Sequence, residues 1–77
     1  MMTIAAVERC LDEGREALVL LAELVAKGNR SRTEIFLRTR AEHDALVCLL
    51  EEAPESEHDR IRDLIRYYET MMRSLRN

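Results

Sequence analysis

A histidine flanked by carboxylates is the raw material of metal sites and general acid–base pairs. It occurs twice in this chain, at Glu42-His43-Asp44 and at Glu55-Ser56-Glu57-His58-Asp59. The spacing argues against both uses. Successive residues of a helix point about 100° apart, so three neighbours cannot converge on one ion, and the second group falls where a solvated helix start is expected. No metal and no cofactor are therefore expected. Nucleophilic catalysis needs a nucleophile, a base and an orienting group in a water-poor pocket. Cys48 follows His43 by five positions, on a different face of a helix, and no third partner accompanies them. Cys10 and Cys48 lie outside any CxxC pattern among apolar neighbours, where a free thiol behaves as a small hydrophobe. The chain is expected not to be an enzyme. His43 suits a surface or groove position, with Arg40 and Asp44 spaced for an ordinary i,i+4 ion pair.

The second chemistry-bearing pattern is basic. Arg62, Arg66, Arg73 and Arg76 recur on one edge of the C-terminal segment, as residues that track a phosphate backbone do. Glu69 interrupts that stripe, and the net charge of −3 opposes bulk attraction to nucleic acid or to an anionic membrane. Nucleic acid is not an expected partner. The acidic series Glu8, Asp12 and Glu16 near the N-terminus could instead face the arginines within a bundle or dimer.

Stepping the apolar residues along the chain gives the elements that must carry these groups. With 77 residues there is room for one core, and a composition of 47% apolar and 35% charged residues with two Gly and one Pro favours long helices. The expected architecture is all-α: a single domain spanning residues 1–77, as a three-helix bundle or a helical hairpin plus a third helix, with helices at about 4–27, 32–53 and 57–76. Thr3 is the first N-cap, and Gly28-Asn29 supplies the left-handed stop. Between them Ile4, Val7, Leu11, Leu18, Leu21 and Val25 form a seam in which Gly14 takes one position. A glycine there costs about 1 kcal/mol relative to Ala, so close approach of another helix is expected. From Ala17 onward Val19, Leu20, Ala22 and Leu24 spread apolar groups over the remaining faces, which marks a buried helix and hence self-association.

Ser31 and Glu34 read as a capping box opening the second helix. Its ends carry Ile35, Phe36, Leu46, Val47, Leu49 and Leu50, but its middle, residues 38–44, is polar and should need water or a partner. Pro54 ends it, and Ser56 with Asp59 should cap the third helix, whose stripe is Ile61, Leu64, Ile65, Tyr68, Met72 and Leu75. The complete stripe and the Pro54 hinge suggest that this helix competes with a partner for the hairpin beneath it. The longest apolar run, residues 17–26, is about half a membrane span, and the N-terminus lacks a basic leader region. A cytoplasmic location is expected.

The stretch Leu20-Leu21-Ala22-Glu23-Leu24-Val25-Ala26-Lys27-Gly28-Asn29, followed by a helix carrying Glu34, Leu37, Arg40 and Leu46, resembles the FliT-like flagellar export chaperones. The resemblance implies a cytoplasmic chaperone or adaptor that shields an amphipathic helix of a flagellar or type III secretion substrate. Such a helix would dock between the first two helices through apolar anchors and charged register contacts. The expected walls are Leu20, Leu24, Phe36, Leu46 and Leu50, with Arg40 and His43 as register contacts. A small structural helical dimer and a nucleic-acid-associated regulator are the alternative readings.

Overall fold

The computed structural model describes residues 1–76. They form three α-helices, α1 (Ile4–Lys27), α2 (Arg32–Glu52) and α3 (His58–Arg76), the last entered through a 3-10 turn at Glu55–Glu57. The expected boundaries differ from these by one residue at most. Three contacts fix the directions. The Met2 amide donates to the Glu52 carbonyl at 3.0 Å, so α1 and α2 run antiparallel. Arg32 donates to the Ser74 carbonyl at 2.9 Å, so α2 and α3 do too. Arg60 at the start of α3 donates to Glu8 near the start of α1, so α3 lies parallel to α1. The result is an up-down-up bundle, 39 Å long.

Local chemistry sets the ends. Thr3 Oγ1 accepts from the Ala6 amide at 3.1 Å, and Ser31 Oγ accepts from the Glu34 amide at 3.4 Å. Gly28 adopts φ 67°, a left-handed conformation favouring glycine, and its amide donates to the Leu24 carbonyl. The expected Ser56 cap does not form. Residues 55–57 wind directly into α3, with the Glu57 amide donating to the Pro54 carbonyl at 2.9 Å, so Ser56 lies inside the turn instead of before it.

The core joins Val7, Leu11 and Leu21 of α1 to Ile35, Leu46 and Leu49 of α2 and to Ile61, Leu64, Ile65, Tyr68 and Leu75 of α3. Met71 packs against it, as does Leu18. The expected α1 seam is too long. Ile4 and Val25 are exposed, Val25 at the edge of an open groove that it lines with Met71 and Leu75 of α3. Nor is the second half of α1 buried all round: Val19 is 59% exposed and Leu20 60%. A three-helix bundle covers one side of each helix and leaves the other to solvent.

The polar middle of α2 is satisfied from within only at Thr39, since the buried Nε2 of His43 has no hydrogen-bond partner among the described residues. Thr39 is fully buried, its hydroxyl donating back to the Ile35 carbonyl at 2.7 Å and lying 3.9 Å from Met71 Sδ. His43 is covered by α3, with Nδ1 3.0 Å from Asp44 and Nε2 3.6 Å from Glu69. Helix α3 also supplies five of the twelve buried apolar side chains, which ties it into the core.

Gly14 explains how α1 and α3 come so close. A Cβ at that position would lie 3.0 Å from Leu64 Cδ2 and 3.6 Å from Leu46 Cδ2. Beside it the Tyr68 hydroxyl donates to the Gly14 carbonyl at 2.5 Å. Burial, with the negative charge of Glu42 as a smaller contribution, pushes that hydroxyl up to about 12. The unfolded chain deprotonates near 10, so the stabilisation is intact below that pH and is lost between about 10 and 12, by on the order of 1–2 kcal/mol. Base titration followed by circular dichroism should show this loss, and Tyr68→Phe should remove the difference between pH 9 and 12.

Candidate partner-binding surfaces

The seven residues expected to hold a partner do not share one groove. Leu20 and Leu24 line an open cleft of about 250 Å³ between α1 and α2, together with Ala17 and Leu21. The opposite wall is Arg38 and Glu42. Phe36 is half-buried on the α3 side, where the Arg76 guanidinium stacks 5.2 Å above its ring. His43 also turns to α3, Leu46 is core, and Leu50 packs against the core. Arg40 is exposed and sits 3.9 Å from Asp44, the expected i,i+4 pair. Phe36, His43 and Leu50 recur every seven residues and so share one face of α2, whereas Arg38 and Glu42, four apart, share the face toward the cleft. The charged residues that line this cleft are Glu23, Lys27, Arg38 and Glu42, and Arg40 and His43 do not line it.

All four charges are uncommitted: among the described residues none makes an ion pair. The arginine stripe behaves differently. Arg62 reaches Asp59 at 3.7 Å, Arg66 reaches Asp63 at 2.8 Å, and Arg73 bonds to Thr70, all within α3. The expected pairing of this stripe with the acidic series of α1 does not occur within the bundle. Asp12 turns to Arg15 at 3.0 Å, and the contact across the helices is made by Arg60, which donates to Glu8 at 2.9 Å and to Glu57 at 3.1 Å. That guanidinium holds the Glu8 carboxyl below the usual carboxylate range.

A second, more apolar groove runs between α1 and α3, where Leu18, Val19, Ala22 and Val25 face Tyr67, Met71 and Leu75 across about 460 Å³. It continues past Leu18, Val19 and Tyr67 into a hollow edged by Arg15, Arg60 and Asp63. Tyr67 is 66% exposed and escapes a reading based on periodicity, because it lies off the buried stripe. Cys10 and Cys48 are free thiols that line one hollow between α1 and α2 with Met2, Glu13 and Glu52. Among the described residues no group of three or more His, Cys, Asp or Glu is placed to hold a metal ion, and no helix is long and apolar enough to cross a membrane.

Comparison with protein-family models, with curated proteins and with solved structures finds no match to this chain.

Proposed function

We propose that this chain is a cytoplasmic helix-binding chaperone or adaptor whose client is an amphipathic helix laid into the α1–α2 cleft. One observation carries the proposal: a leucine wall, Leu20 and Leu24, faces two charges, Arg38 and Glu42, that have no ion-pair partner of their own. Apolar anchors on a client helix at i, i+3 or i+4 and i+7 would cover the leucines, and client charges would set the register against Arg38 and Glu42. The export role, toward a flagellar or type III secretion substrate, rests on the resemblance of residues 20–29 to the leucine-rich turn of FliT-like chaperones.

The test places a photo-crosslinking amino acid at Leu20 in the native cell and identifies the captured peptide by mass spectrometry. An amphipathic helix of one exported protein is the expected product. Leu20→Asp combined with Leu24→Asp should abolish capture by a probe at Arg38, and Leu20→Asp alone should leave the melting temperature within a few degrees, since exposed positions typically shift stability by about 0.5 kcal/mol or less. Equal capture from a control probe at exposed Glu51, or capture of nucleic acid alone, would refute helix binding. A client that is never exported would keep the binding and remove the export role.

A further inference from the structure

The charges of the α1–α2 cleft alternate in sign along its length. Helices α1 and α2 run antiparallel, so residues level with one another have numbers of nearly constant sum, 54 where Met2 meets Glu52 and 60 where Gly14 faces Leu46. Glu42 therefore stands level with residues 12–18 of α1, and Arg38 with residues 16–22. Glu23 and Lys27 follow on α1 itself. Read from Ala17 toward Gly28, the cleft runs acid, base, acid, base. The two outer steps are four residues each, about 6 Å, and the step from Arg38 to Glu23 is centred on the same length. All four side chains are exposed, and none makes an ion pair among the described residues.

We propose, building on the reading of this cleft as a helix-binding surface, that its client carries acid, base, acid, base at i, i+4, i+8 and i+12 and lies antiparallel to α1. The first acid then meets Lys27, the second meets Arg38, and the two bases meet Glu23 and Glu42. A row at four-residue spacing is inclined to the helix axis, so one end reaches the α1 wall with its Lys27 and Glu23 and the other the α2 wall with its Arg38 and Glu42. A client of uniform charge finds two attractive and two repulsive contacts, so the order rejects helices selected by net charge alone.

The direction follows from helix energetics. An acid four residues before a base supports a helix better than the reverse order, and an acid in the first turn with a base in the last complements the macrodipole. A client parallel to α1 needs its bases first and forfeits both contributions.

Three synthetic amphipathic helices with one common leucine face test the order, by fluorescence anisotropy against the full chain. The first carries acid-base-acid-base at four-residue steps, the second base-acid-acid-base at the same positions, and the third glutamine throughout. The first should bind at least tenfold tighter than the second at low salt, and the difference should vanish in 1 M salt, where screening acts over about 3 Å. Exchanging the α1 charges, Glu23→Lys with Lys27→Glu, turns the cleft into acid-base-base-acid and should transfer the preference to the second peptide. Both positions are exposed, so the fold is retained. Lys27 is the one lysine of the chain, so carbodiimide coupling reads the direction: the first acid of the peptide should form the amide with it.

Equal binding of the first two peptides by the parent chain overturns the charge order, as does a preference that survives the exchange or persists in 1 M salt. Coupling of Lys27 to the second acid places the client parallel to α1 and overturns the direction. If the glutamine peptide binds as tightly as the first, the leucines hold helices unaided, and client binding stands while the charge order falls. If no peptide binds, both fall together.

Discussion

Gly14→Leu is expected to lower the melting temperature by 10 °C or more, or to abolish the cooperative transition, whereas Gly14→Ala stays within about 5 °C of the parent chain. The contrast follows from what each side chain meets. A Cβ alone lies 3.0 Å from Leu64 Cδ2, the mobile end of a side chain that can give by a few tenths of an ångström. The helix gains about 1 kcal/mol when alanine replaces an interior glycine, which offsets much of that strain. Leucine adds three further carbons against Leu64 and Leu46, both buried. Overpacking of this kind costs about 1–3 kcal/mol, and separating α1 from α3 also breaks the buried Tyr68 hydrogen bond, worth about 1 kcal/mol. A small domain holds only about 5 kcal/mol in total and shifts by roughly 4–8 °C per kcal/mol. Equal melting of Gly14→Leu and the parent would mean that α3 does not press on α1 at Gly14.

The close approach at Gly14 was readable in the sequence because a glycine inside a strongly helical pattern has a cost that something must offset. The same holds for Thr3, Ser31 and Gly28, whose side chains or backbone act on neighbours three or four residues away. Features that depend on how the helices are juxtaposed were not readable. Ile4 and Val25 keep the seam period but stay exposed, Val25 at the edge of the groove between α1 and α3. Arg32 bonds to the last carbonyls of α3, 42 positions away, and nothing in its neighbours marks that role. Thr39 looks polar in a sequence and is fully buried in the fold, because its hydroxyl is satisfied by its own helix.

The candidate surfaces follow the same division. Leu20 and Leu24 were identifiable as apolar residues left over after the seam was filled. Which charges faced them was not, because the rotation of α2 about its axis decides between the pair Arg38 and Glu42 and the pair Arg40 and His43. That rotation is set by Thr39 and His43 packing under α3, and both look like surface residues in sequence. The α1–α3 groove was hidden for a related reason: periodicity puts Tyr68 on the buried stripe and Tyr67 off it, but only the packed helices show that Tyr67 borders a groove with α1.

Leu64→Asp should unfold the domain at neutral pH or leave it marginal, and acidification should partly restore it. Leu64 is buried in the contact between α1 and α3 beside Gly14, so an aspartate there loses its water and, with it, most of the stabilisation of its charge. Two cations edge the adjoining hollow, Arg15 and Arg60. Neither is free to serve: Arg60 is engaged by Glu8 and Glu57, and Arg15 by Asp12. The penalty of a buried unpaired charge, together with the lost leucine packing of about 2–5 kcal/mol, exceeds what a domain of this size holds. Desolvation favours the protonated form of the new carboxyl, so its share of the penalty falls as pH drops below the folded-state value. The lowered carboxyl of Glu8, common to both chains, contributes stability that is lost only below about pH 4.5. Melting curves between pH 7 and 4 should therefore converge, with the variant gaining while the parent changes little. Parallel curves would mean that the aspartate has found water or a cation, and that the α1–α3 contact opens more readily than its packing implies.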